Sequence, residues 1–161
     1  MFNFKIMKKF LLLILFACAT FNGFCQTITL NDLKFLLKGK EEAKFLTDKS
    51  FTVVDTKFSM GHNVTTYVIN SKTPKAEFIL TGLTLMAKDG KFYPFVRYMT
   101  RDTSYVNTII KQVNMAGFTL AKKKYGKTQN MYEFDNQKFY VVVEIKRMSG
   151  FSSIIDLHNK F

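Results

Sequence analysis

Glu133 and Asp135, two residues apart, are the carboxylates in this chain best spaced for acid and base work. On a β-strand, residues i and i+2 share a face, so the two would sit side by side as a glycan-cleaving pair requires. The lysines at 122–124 give them a plainer role as solvated, neutralised charges. Glu41 and Glu42 are adjacent on a predicted helix and therefore point different ways. His62 and His158 are too far apart in sequence for the short ligand spacing of the usual zinc sites, and His62 within SMGHN reads as a polar turn residue. No G-x-S-x-G elbow occurs, and RMSGFSS reads as a hairpin turn. The GKT at 126–128 lacks the upstream glycine of a phosphate loop, because residue 121 is Ala. These residues predict no enzyme, no cofactor and no metal.

Two segments have the composition of binding surfaces. In KFYPFVRYMTRD, Tyr93, Phe95, Arg97 and Met99 alternate onto one strand face, with Tyr98 opposite and Arg101 just beyond. Aromatic residues with arginine are the mixture enriched at interface hot spots. Pro94 places this strand at a sheet edge or bulge, where a partner reaches it. In AKKKYGK, Lys122 and Lys124 share one face, Lys123 lies on the other and Lys127 sits in a turn. That cluster suits an anionic lipid or glycan. It is also how natural sheets keep an exposed edge strand from pairing.

The N-terminus reads as an address. Lys5, Lys8 and Lys9 precede an apolar run, Phe10 to Ala19, that is shorter than the ~20 residues of a spanning helix. Polar and small residues follow, the order of a secretory signal peptide. Cleavage after Cys25 leaves Gln26 first and discards both cysteines, Cys18 and Cys25. Two alternatives are cleavage after Ala19, which strands Cys25 as an odd thiol, and a lipoprotein, since LFAC ending at Cys18 resembles a bacterial lipobox except at Phe16. The expected location is periplasmic or secreted, with lipid anchoring through Cys18 as the alternative.

The chain carries 24 basic and 12 acidic residues, a net charge of +12. Losing the three leader lysines still leaves a strongly basic product. Export turns attention from nucleic acid to a protein, an envelope polymer, an anionic lipid or a glycan. A cysteine-free mature chain also excludes a disulfide scaffold, so an ordinary apolar core must hold it.

Periodicity supplies the elements. ITLNDLKFLLKGKEEAKFLTDKSF predicts two short helices, the first capped by Asn31 or Asp32 and the second turning Ala43 and Leu46 inward. Strands follow: FTVVDTKF, NVTTYVIN, EFILTGLTLM and KFYPFVRYM. TSYVNTIIKQVNMAG predicts a helix capped by Asp102, Thr103 or Ser104, with Val106, Ile109, Ile110 and Val113 as its apolar stripe and Gly117 as its stop. Four more strands follow it: FTLAKKKY, QNMYEFD, KFYVVVEIKRM and FSSIIDLH. Residues also match at an offset of 67, with Phe51, Thr52 and Lys57 against Phe118, Thr119 and Lys124, and Ser50 against Gly117.

The expected fold is therefore α+β. Residues 1–25 form the leader, and 26–161 form one domain of two tandem helix-plus-antiparallel-sheet units, at about 30–100 and 102–161. In architecture alone this layout resembles the tandem helix-and-sheet repeats of secreted β-lactamase inhibitor proteins. That likeness carries no motif and assigns no residue or activity. The functional expectation is an exported, non-enzymatic binding module, with a basic membrane-peripheral or lipid-anchored envelope protein as the alternative.

Overall fold

The computed structural model describes residues 28–59, 61–69, 76–86, 90–148, 150 and 152–160. The leader, with Cys18 and Cys25, lies outside the described residues. Among the described residues, three helices, α1 (Leu30–Leu36), α2 (Glu42–Asp48) and α3 (Thr103–Met115), accompany eight strands. These are β1 (Thr52–Ser59), β2 (His62–Ile69), β3 (Glu77–Met86), β4 (Phe92–Thr100), β5 (Thr119–Tyr125), β6 (Gln129–Asp135), β7 (Phe139–Lys146) and β8 (Ser153–Asn159).

The strands fall where alternation places them, yet they do not build two units. All eight form one antiparallel sheet in the order β1-β2-β3-β4-β8-β7-β6-β5. This corrects the expected pair of helix-plus-sheet units. The cause is the last strand of each meander. β4 and β8 would each leave a row of unpaired backbone groups beside an apolar core. Instead they pair with each other, from Phe95↔His158 to Thr100↔Ser153. β4 is therefore an interior strand, not the edge that Pro94 suggested. Pro94 pairs with Thr84 on β3 but lies beyond the reach of β8, so its missing N–H leaves no gap in that ladder.

The helices cover one face only. α1 supplies Leu30, Leu33 and Leu36, α2 supplies Leu46, and α3 supplies Val106, Ile109 and Val113. They pack on Ile79, Val96, Tyr98, Val141, Val143, Ile155 and Leu157 from the central strands. Each such side chain removed from water contributes about 1.5–3 kcal/mol. α1 is capped by Thr29, not by Asn31 or Asp32. Thr29 Oγ1 accepts from the Asp32 amide at 3.2 Å, and Asp32 Oδ2 accepts from the Thr29 amide at 2.8 Å. This reciprocal pair places Asp32 three residues inside the helix. Ala43 is exposed, contrary to expectation, and the half-buried Phe45 turns inward instead, its ring tilted against Phe35 at a centroid distance of 4.7 Å. α3 is capped by Asp102, whose carboxylate accepts from the Ser104 amide at 2.9 Å.

The offset of 67 reappears in the backbone. β1 carries a bulge between Val53 and Asp55, and β5 carries one between Leu120 and Lys122. Ser50 and Gly117 both adopt a left-handed conformation, at φ 65° and 75°, where a helix gives way to a strand.

Candidate functional site

With the helices on one face, the alternate side chains of the sheet are left to build the other. Val96, Tyr98 and Thr100 of β4 turn into the core, which sends Phe95, Arg97 and Met99 to the helix-free face. By the same parity β8 contributes Asp156 and His158, β7 contributes Tyr140, Val142 and Glu144, and β6 contributes Met131, Glu133 and Asp135. Register then decides which of them meet.

At the centre, Arg97 stands directly across the β4–β8 ladder from Asp156. The guanidinium grips the carboxylate with both prongs, Nε to Oδ1 at 2.8 Å and Nη2 to Oδ2 at 2.7 Å. These hydrogen bonds raise the Arg97 pKa still further, so the guanidinium stays charged at any physiological pH. The guanidinium also lies 5.6 Å from the Phe95 ring centroid. This strand therefore presents a fixed cation and an aromatic ring together.

Beside this pair lies a cavity of about 460 Å³. Leu85, Met131 and Val142 give it apolar walls, Tyr140 and His158 line it with rings, and Glu133, Asp135 and Lys160 supply charge. Leu85 belongs to β3 and Met131 to β6, strands with three others between them in the sheet. One cavity can touch both only if the sheet curls across this face. The bend originates at Gly82, where β3 bulges between Leu80 and Leu83. Gly82 has φ +73°, and a Cβ there would come within 2.0 Å of the Asn63 carbonyl oxygen. Only glycine permits both the conformation and the approach.

The polar groups are mutually engaged. The Tyr140 hydroxyl donates to Glu133 Oε2, and Lys122 Nζ lies 3.6 Å from Glu133 Oε1. Burial, then the hydrogen bond to Glu133, pushes the Tyr140 pKa upward, so it stays a neutral phenol. Asp135 accepts from Lys160 at 2.6 Å and from the Thr119 hydroxyl at 3.0 Å. Those two donors hold the Asp135 carboxyl below its ordinary pKa. Buried His158 points Nδ1 at the Asn159 carbonyl oxygen, 2.8 Å away, and its ring lies 5.0 Å from that of Tyr140. A carbonyl only accepts, so Nδ1 carries the proton. Glu133 and Asp135 do share a face, but each carboxylate is tied to its own cation, which is the arrangement of structural charges.

Compared with known proteins, the chain matches no family model, no curated protein and no solved structure. The surface itself has to indicate what it holds. Its volume and its mix of apolar walls with a few oriented polar groups lie within the range of ligand sites.

Of the residues singled out from sequence, Tyr93, Phe95 and Arg97 lie together on this face and are half-buried. Arg101 does not join them; it is exposed in the bend after β4. Lys122, Lys124 and Lys127 are exposed on and beyond β5, the edge strand of the sheet. Lys122 leans toward Glu133, while Lys123 turns to the other face and lies 4.7 Å from the Tyr125 ring centroid. Sequence reasoning missed His158, Tyr140, Leu85 and Lys160 as neighbours. Alternation in SIIDLH already sets His158 beside Asp156, but its meeting with Tyr140 depends on β8 lying between β4 and β7, a pairing that joins distant segments.

Proposed function

We propose that this chain is an exported, non-enzymatic binding module whose helix-free sheet face holds a segment of a partner protein. The observation that carries the reading is that His158, which lines the 460 Å³ cavity, stands directly across the β4–β8 ladder from Phe95, on the same face as Arg97. Rings, an oriented cation and apolar walls on a rigid sheet form the kind of patch in which a few anchors supply most of the binding energy. The carboxylates and the phenol are already satisfied by one another. They suit recognition, where groups are fixed in advance, better than proton transfer. The leader-like N-terminus supports an envelope or secreted setting.

The charge-driven alternative, a membrane-peripheral protein acting through Lys122, Lys124 and Lys127, draws on the exposure of those lysines. Their position on an edge strand gives them a sufficient role in preventing unwanted pairing.

The test is affinity capture from an envelope extract with the chain from Gln26 onward, repeated with Tyr93→Ala/Phe95→Ala and with Val142→Arg, which fills the cavity. Each variant should lose the same captured protein, with affinity lower by roughly 30-fold or more if these are anchors. Capture of that protein undiminished by both variants rules out this face.

A further inference from the structure

Among the described residues the sheet ends at two edge strands, β1 and β5, and they are built differently. β5 carries Lys122, Lys123 and Lys124 in succession, a run of like charge that repels any strand approaching it. β1 carries TVVDTKFS, in which Val53, Val54 and Phe58 are 55%, 54% and 76% exposed. Its two charges, Asp55 and Lys57, are 2.9 Å apart and cancel. β1 is thus the apolar, charge-neutral edge of a strongly basic protein. An edge of that kind is a template for strand addition.

The order of residues along β1 selects the strand that fits. Set antiparallel to a second copy about a two-fold axis at Thr56, Asp55 faces Lys57 of the second copy and Lys57 faces its Asp55. The same operation brings Phe58 of each copy toward the apolar Val53–Val54 bulge of the other. Opposite charges and apolar residues directly across a ladder are the stabilising cross-strand pairs. The backbone agrees. Ser59 and His62 flank the two-residue turn to β2, and in such hairpins the flanking residues form the hydrogen-bonded pair. Alternation then turns the N–H and C=O groups of Thr56 and Phe58 to the free edge. Thr56 against Thr56 becomes a hydrogen-bonded pair, and Asp55 against Lys57 becomes the closer, non-hydrogen-bonded pair in which side chains meet best.

We infer that β1 is a self-recognition edge, through which two copies join antiparallel into one continuous sixteen-stranded sheet. A two-fold interface uses the same patch twice and closes on itself, so association stops at the dimer. It stops also because the outer edge of each copy is then the lysine-bearing β5. The helix-free faces of the two copies remain uncovered.

The experiment is sedimentation velocity over a concentration series with the chain from Gln26 onward, which contains every described residue. Wild type should show a reversible monomer–dimer equilibrium. Asp55→Lys and Lys57→Asp should each be monomeric, since each sets like charges against each other across the axis. Mixing these two variants should restore a dimer, because each then faces opposite charges, and the doubly swapped Asp55→Lys/Lys57→Asp chain should dimerise alone. Recovery on mixing also shows that the single variants are folded. A monomeric wild type, a dimer indifferent to either substitution, or no recovery on mixing would overturn the inference.

Discussion

The Tyr98 phenol donates a 2.7 Å hydrogen bond to the Glu77 carboxyl inside the core, and neither residue reaches water. Burial first, then Glu77, pushes the Tyr98 pKa far above its ordinary value, so this tyrosine is a permanent donor. The pair links β3 to β4 beneath the strand that carries Phe95 and Arg97. Tyr98→Phe keeps the ring and removes the donor, leaving a buried carboxyl with one partner fewer. The expected loss is about 1–3 kcal/mol, the cost of leaving a buried polar group short of a hydrogen-bond partner. Urea denaturation measures it, and a change below about 0.5 kcal/mol would contradict the assignment.

Gly82 is the hinge of the candidate site. Gly82→Ala places a methyl group 2.0 Å from the Asn63 carbonyl oxygen and forces φ +73° on a residue that disfavours it. The expected cost is at least about 2 kcal/mol, the scale of left-handed backbone strain combined with a clash against the neighbouring strand's backbone. Part of the loss should be local. Amide exchange should quicken in β2 and β3 around Asn63 and Leu83 before it quickens in β7, because the far end of β3 is what the bulge positions.

How far these features were legible in the sequence follows from the range of the forces involved. Alternation in KFYVVVEIK separates Val141 and Val143 from Tyr140 and Glu144 because burial acts on each strand locally. EFILTGLTLM shows a strand plainly, and its internal glycine was the available sign of a bulge. The joining of β4 to β8 was not legible. Arg97 and Asp156 are 59 residues apart, and neither segment alone shows that the other will supply its missing backbone partners. The candidate cavity depends on that junction, which explains why Tyr93, Phe95 and Arg97 of the neighbouring strand were found and the cavity's own His158 and Tyr140 were not. Thr29 was overlooked as a cap for a smaller reason: Asn31 and Asp32 are equally good capping types, and only the reciprocal bond sets the helix start.

Ser50 offers a gain in stability. It sits at φ 65° after α2, as Gly117 sits at φ 75° after α3. The turns around them match: the Phe51 amide donates to the Leu46 carbonyl at 2.9 Å and the Phe118 amide to the Val113 carbonyl at 3.3 Å. A side chain in the left-handed region costs roughly 1–2 kcal/mol, and glycine there avoids most of it. Ser50→Gly should stabilise by about 1 kcal/mol and raise the melting temperature by a few degrees, while Gly117→Ser should do the reverse. If Ser50→Gly lowers the melting temperature, the equivalence of the two turns fails.

Two carboxyls should give opposite pH signatures. Lys160, then Thr119, lowers the Asp135 pKa, so its stabilising contribution is present above the unfolded value near about 3.9 and is lost as pH falls through the lower folded value. Glu42 is the reverse case. Partial burial raises its pKa, so its contribution is complete below the unfolded value of about 4.3 and is lost as pH rises through the raised one. Unfolding free energies from urea titrations between about pH 3 and 7 separate them. The stability of Glu42→Gln relative to wild type should climb with rising pH, because glutamine carries no charge to desolvate. That of Asp135→Asn should decline, because asparagine cannot take the ion pair with Lys160. Lys160→Ala should return the Asp135 titration, followed by NMR, toward the ordinary carboxylate value. Slopes of the same sign for the two variants would show that burial at Glu42 and ion pairing at Asp135 are not the forces governing them.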